Sequence, residues 1–195
     1  MLGEKLGHSL DKLLAPIANI LSLNGILSPN SLTLTGFLIN LIASASFIFQ
    51  LPKLAGILIL LAGSFDLLDG ILARNSGKTT RFGAFLDSVL DRYSDAALFG
   101  GLMVYYISNN SILYTLVTFG VMLGSFLISY TRARAEGLGI DCNIGLMERP
   151  ERIILLSAGA ITGLLEETLW ILLVLTHITA IQRIYHAWKS TKTVS

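Results

Sequence analysis

The sequence predicts an all-α integral membrane protein of six transmembrane helices, preceded by an N-terminal amphipathic helix on the membrane surface. Three observations predict it. Of 195 residues, 53% are hydrophobic and only 14% charged, whereas soluble domains run near a quarter charged. Six apolar segments reach or approach the roughly 20 residues that a helix needs to cross about 30 Å of hydrocarbon. Lysine and arginine gather in alternate connections, the bias that orients such helices. No alternating strand pattern competes, and a barrel would need many shorter segments. The length fits a single domain over 1–195. A net charge of +1 gives no reason to expect nucleic acid as a partner, and a lone cysteine, Cys142, leaves no internal disulfide to form.

Residues 1–27 form the first element. Leu6, Leu10, Leu13, Leu14, Ile17, Ile20 and Leu21 recur at helical spacing, while Glu4, Lys5, Asp11 and Lys12 interrupt any continuous apolar core. That pattern reads as a helix lying along the membrane rather than a signal peptide. "SPNSLT" at 28–33 then reads as a helix start, with Asn30 or Ser31 as cap after Pro29. The spans follow at about 32–51, 54–74, 84–107, 112–133, 151–165 and 168–188, of which the fifth is short and contains Gly159 and Gly163. Arg74, Lys78, Arg81, Arg132, Arg134, Arg149, Arg152, Lys189 and Lys192 all fall on the side of the 75–83 and 134–150 connections and the C-terminus. The opposite connections contribute only Lys53. Both termini and these two connections are therefore expected in the cytoplasm, with the protein multi-pass in the cell membrane.

Against this apolar background, residues 65–95 carry five aspartates. Asp66 and Asp69 are three apart; Asp87, Asp91 and Asp95 are spaced by four. Both spacings put side chains on one helix face. Asp66 lies about 12 Å from the Arg74 end of its helix, and Asp91 about the same distance past Gly83 on the next. Two antiparallel helices would thus bring Asp66, Asp69, Asp87 and Asp91 to one level. A charge at depth costs at least ~2.5 kcal/mol, and clustered like charges cost more. Arg74 and Arg92 can pair two of them. Divalent cations would offset the set, and all-oxygen ligands favour hard ions such as Mg²⁺, Mn²⁺ or Ca²⁺. From geometry, three readings stand: two-metal chemistry on phosphate esters, ion or proton passage, or structural pairing with arginines.

The stretch reads Asp66-x2-Asp69-Gly70-x2-Ala73-Arg74-x8-Gly83-x3-Asp87-x3-Asp91. It resembles the signature of the CDP-alcohol phosphotransferases, complete in every fixed position, and the six-span layout and surface helix fit that family over essentially the whole chain. The resemblance implies two divalent ions, Mg²⁺ or Mn²⁺, on Asp66, Asp69, Asp87 and Asp91, with Asp91 also the general base. It implies a CDP-linked lipid donor held by Gly70, Ala73, Arg74 and Gly83, with Asn30 and Thr33 near the nucleotide. Small residues let backbone approach a ligand, and arginine offers a forked donor set to phosphate. Asp95 lies outside the signature and is read as pairing with Arg92 or orienting a neighbour.

The acceptor alcohol is read from the remaining charges. "SYTRARAEGLG" closes the fourth span, "GLMERPERI" opens the fifth, and Arg183 in "AIQRIYHAWK" lies about 9 Å short of Lys189. Arg132, Arg134, Arg149 and Arg152 can be topology signals alone, but Arg183 is deeper than anchoring requires. Arginines from three helix ends beside a metal cluster make a pocket for a second phosphate. These stretches resemble the inositol-phosphate-using branch of the family, which makes phosphatidylinositol phosphate or archaetidylinositol phosphate. By that resemblance Arg132, Arg149 and Arg183 hold the phosphate of inositol phosphate, and Arg132 stands where lysine is frequent. Members of the family are homodimers, and Gly120-x3-Gly124 and Gly159-x3-Gly163 are patterns that support close helix packing.

Overall fold

The computed structural model describes residues 29–76 and 80–192, without the side chains of Pro29, Leu67 and residues 69–76. Six helices follow one another: α1 (Pro29–Ile48), α2 (Pro52–Ser76), α3 (Arg81–Ser108), α4 (Ile112–Glu136), α5 (Arg149–Thr162) and α6 (Leu165–Lys192). No strand occurs among the described residues. Each expected span falls on one helix; the surface helix expected over 1–27 lies outside the described residues. The first span shifts toward the N-terminus. α1 is already helical at Pro29, the first described residue, where the missing proline N–H is tolerated in a first turn, and it ends before Gln50, whose φ is 62°. Asn30 and Ser31 consequently sit inside the helix rather than capping it, and the Ser31 carbonyl accepts from Thr35 Oγ1 at 2.8 Å.

By length and composition, α1, α4 and α6 are apolar enough to cross a membrane. The other long helices, α2 and α3, have 25 and 28 residues and carry the five aspartates of 65–95 with Arg74, Arg81 and Arg92. At 14 residues, α5 rises only ~21 Å.

The principal helix contacts form a closed cycle: α1 on α2, α2 on α5, α5 on α6, α6 on α4, α4 on α3, and α3 back on α1. Small residues and hydroxyls set the seams, as expected where lipid removes the hydrophobic drive between helices. Gly101 lies against Ser44, whose Oγ donates to the Ala97 carbonyl at 2.5 Å. Ser157 Oγ donates to the Gly56 carbonyl at 2.6 Å. Gly124 faces Thr176, Gly120 faces Leu173 and Gly159 faces Thr168. Gly120, Gly124 and Gly159 are thus used in packing within the chain, whereas Gly163 meets nothing within 4 Å and, at φ 83°, caps α5 in the left-handed region.

The two ends of the cycle differ. Phe47, Ile59, Leu102, Val121, Leu156, Leu169 and Leu172 form one buried apolar core. They lie toward the end where the 49–51, 109–111 and 163–164 turns reverse the chain, and Asn109 Nδ2 ties two of these turns by donating to Gln50 Oε1 at 2.7 Å. At the other end the long 137–148 connection has almost no regular structure, and side chains of α6 pin it instead. His186 Nε2 sits 2.9 Å from the Asp141 carbonyl, Arg183 Nε donates to the Ile144 carbonyl at 2.8 Å, and the Met147 amide donates to Thr179 Oγ1 at 3.1 Å. Cys142, within this connection, is fully buried.

Candidate active site

The site occupies the end opposite the apolar core. Thr80 starts α3 as N-cap, its hydroxyl accepting from the Gly83 amide at 2.9 Å. A Cβ at Gly83 would stand 2.9 Å from that hydroxyl and 3.2 Å from Asn30 Oδ1. Glycine therefore lets the start of α1 close on the start of α3, and puts Asn30 beside the signature. Thr33, one turn on, is buried.

Among the described residues, α2 and α3 meet chiefly through other elements. Each helix packs on α1, and the direct α2–α3 contact is not among the principal ones. The guanidinium of Arg149, from the start of α5, joins the two: its Nη1 pairs with Asp66 Oδ2 and lies 2.8 Å from Asp91 Oδ1. Asp66 and Asp91 do meet at one level, as the rise per residue required. The backbone of Asp69, Gly70, Ala73 and Arg74 continues α2, and their side chains lie outside the described residues. Asp87 is half-buried on α3. No three potential metal ligands cluster among the described residues, which exclude the Asp69 side chain. The described groups nevertheless fit divalent cations: the donors are all carboxylate oxygens, and Asp66 and Asp91 already converge on one cationic nitrogen.

Asp95 pairs differently from expectation. Its partner is Arg152, whose Nη2 donates to Asp95 Oδ2 at 3.0 Å, with both side chains about 95% buried. Arg92 instead lies 3.7 Å from Asp91 Oδ2. Arg152 is thus no mere topology signal but half of a buried ion pair.

Asp91, Arg132, Arg149 and Arg183 line one cavity of about 900 Å³, with Glu136, Glu148 and Arg152 also on its wall. Its arginines already have partners in the protein. Arg132 Nε donates to Glu136 Oε1 at 2.8 Å and its Nη2 to Asn143 Oδ1 at 2.9 Å. Arg183, 3% exposed, spends Nε on Ile144 and Nη1 on the Ile128 carbonyl at 2.7 Å, leaving Nη2 at 3.6 Å from Glu148 Oε1. Gly145, at φ 147°, lets the connection pass close over Arg183; a Cβ there would stand 2.7 Å from Thr179 Cγ2.

Sequence reasoning missed three features. Gly36 lets α1 back onto Asp66, since a Cβ there would stand 2.9 Å from Asp66 Oδ1. Nothing in its surroundings signals this. Glu136 carried a signal, lying at i+4 from Arg132, the spacing of a helical ion pair. Glu148 carried another, standing immediately before Arg149.

Residues 26–182 match the family model described as CDP-alcohol phosphatidyltransferase. The chain belongs to that family. It is a transferase of phospholipid synthesis and a membrane protein. It is 41% identical over 164 residues to the archaetidylinositol phosphate synthase of Pyrococcus horikoshii, covering 84% of this chain and 85% of that one. It is 37% identical over 176 residues to the phosphatidylinositol phosphate synthase of Mycobacterium marinum, covering 84% and 75%. A crystal structure of the Mycobacterium tuberculosis phosphatidylinositol phosphate synthase with CDP-DAG bound superimposes at TM-score 0.81 and 33% identity, covering 91% of this chain and 94% of that one. A second, in complex with manganese and citrate, gives 0.79 and 34%, covering 89% and 88%.

Proposed function

We propose that the enzyme moves a lipid-linked phosphate group from a CDP-lipid to inositol phosphate and releases CMP. The observation that carries this reading is the cavity that Asp91 shares with Arg132, Arg149 and Arg183. A proton acceptor and three guanidinium groups on one wall suit an acceptor bearing both a hydroxyl and a phosphate. The names of the relatives support the same acceptor.

In this reading Gly70, Ala73, Arg74 and Gly83, with Asn30 and Thr33, hold the cytidine diphosphate. Asp66, Asp69, Asp87 and Asp91 hold two divalent ions, Mg²⁺ or Mn²⁺, which supply Lewis-acid charge to the diphosphate and the leaving CMP. Asp91 takes the hydroxyl proton of inositol phosphate. The alkoxide oxygen then attacks the phosphorus that bears the lipid, the bond to the CMP oxygen breaks, and CMP leaves with that electron pair. Arg132, Arg149 and Arg183 orient the acceptor by its phosphate; Arg183 also holds the 137–148 connection, so its part in binding is to fix the wall as much as to touch the ligand.

Six membrane spans over 32–188 would form one catalytic domain, with residues 1–27 along the surface, both termini and the cavity facing the cytoplasm, and two copies as a homodimer in the cell membrane. A water-soluble acceptor then enters from the cytoplasm while the lipid tails stay in the bilayer.

The test is CMP release by purified enzyme with Mn²⁺ or Mg²⁺, from CDP-diacylglycerol or CDP-archaeol. Inositol phosphate, free inositol, glycerol phosphate and serine are offered in parallel. Release with inositol phosphate alone is expected. Release with another alcohol alone would keep the aspartates as the catalytic site and remove the arginine assignment.

A further inference from the structure

Asp95 lies one helical turn past Asp91 on α3 and is 4% exposed. Its two carboxylate oxygens face different arginines. Oδ2 accepts from Arg152 Nη2 at 3.0 Å. Oδ1 faces Arg149 Nε at 3.7 Å, and that N–H is buried without a hydrogen-bond partner. The Nη1 end of the same guanidinium pairs with Asp66 and Asp91. Among the described residues these three aspartates are the carboxylates paired with Arg149, and Asp95 alone of them lies outside the signature.

One arginine suffices to neutralise a buried carboxylate, and Arg152 does so with good geometry. The second contact therefore has a geometric meaning. With Oδ2 bonded to Arg152, Oδ1 faces Arg149 Nε at ion-pair distance. We propose that Asp95 is a positioning residue for the transfer reaction: it holds Arg149 by its Nε edge so that the terminal nitrogens can take the phosphate of the acceptor. Divalent cations on Asp66 and Asp91 would remove two of the anions facing Arg149 and add like charge beside it. A guanidinium is a rigid planar fork. A hold on Nε keeps the fork in the cavity wall while leaving the Nη edge for a paired contact with phosphate. Arg152 serves by orienting Asp95.

The inference rests on the acceptor reading above, and its rival is an ion pair that only fastens α5 to α3. The experiment uses full-length wild type, Asp95→Asn, Asp95→Glu and the double variant Asp95→Asn/Arg152→Leu. For each, the thermal midpoint, the affinity for CDP with Mn²⁺, the calorimetric affinity for inositol phosphate without CDP-lipid, and KM and kcat are measured.

Loss of the ion pair that positions Arg149 predicts an acceptor affinity and KM weakened about tenfold or more in Asp95→Asn. CDP affinity should stay within about threefold in the same variant. Asp95→Glu should recover part of the acceptor KM. The double variant, with no unpaired buried arginine, should regain thermal midpoint while its acceptor KM stays high. Recovery of both together, unchanged acceptor binding in Asp95→Asn, equal loss of CDP binding, or failure of all three variants to fold would each overturn the proposal. A wild type that saturates with no phosphorylated acceptor would remove the acceptor reading, and this inference with it.

Discussion

The two ends of the bundle solve opposite problems with the same helices. At the end of the short turns, one apolar core is interleaved with buried hydroxyls such as Ser46, Thr118, Ser157 and Thr168, and close approach is set by glycines against serine or threonine. At the other end, carboxylates of α2 and α3 converge, and the guanidinium of Arg149 joins them. An apolar end can be dense because nothing enters it. The charged end has to stay open to a nucleotide lipid and a soluble alcohol, so it is held by directional contacts from α6 and α5 rather than by packed volume. Stability and chemistry are therefore separable by position along the helices, and mutations should sort accordingly.

The largest effect expected is at the charged end and spares the fold. Asp91→Asn should cut CMP release about a thousandfold, the scale of a lost general base, with little change in thermal midpoint or CDP binding. Full activity in that variant would remove the base assignment. Chelation by EDTA should stop turnover, and added Mn²⁺ or Mg²⁺ should restore it; turnover persisting in EDTA would break the metal assignment.

At the apolar end the pattern should reverse. Leu102 is fully buried, and Leu102→Ala should destabilise by about 2–4 kcal/mol through the cavity it leaves. The folded fraction should keep its kcat and both KM values, read by denaturation against active-site titration. A specific loss of acceptor binding would show that the two ends are coupled.

Two glycines sharpen the comparison on a smaller scale. A Cβ at Gly101 would stand 2.5 Å from the Ser44 carbonyl oxygen, whereas a Cβ at Gly36 would stand 2.9 Å from Asp66 Oδ1. Gly101→Ala should therefore lower the thermal midpoint by forcing backbone apart, at an overpacking cost of about 1–3 kcal/mol. Gly36→Ala should chiefly lower kcat and raise the metal concentration needed for half activity. The smallest effect is expected at the turns: Asn109→Ala removes the bond to Gln50 and should cost about 1 kcal/mol, with activity unchanged.

Much of this division was legible in the sequence, for a physical reason. Five aspartates at helical spacing stand out against an apolar background, and the rise per residue puts Asp66 and Asp91 level on two helices. The six helices were legible as apolar runs, and three of them are long and apolar enough to cross a membrane. Tertiary partners were not. Asp95 and Arg152 are 57 positions apart, and no local pattern links them. The pinning of residues 137–148 by Arg183, Thr179 and His186 is likewise a contact between distant segments. The helical state of Pro29, Asn30 and Ser31 was missed because the turn chemistry of "SPN" suits a cap and a first helical turn equally.

The burial of Cys142 has a practical consequence. Since it is the chain's one cysteine and is fully buried, the native protein should be silent to water-soluble maleimides. Leu138 on the long connection is 59% exposed and Ile112 beside a short turn is 77% exposed. A thiol introduced at either position would be a single reporter, and reaction in sealed vesicles would read out which face of the membrane each end of the bundle meets.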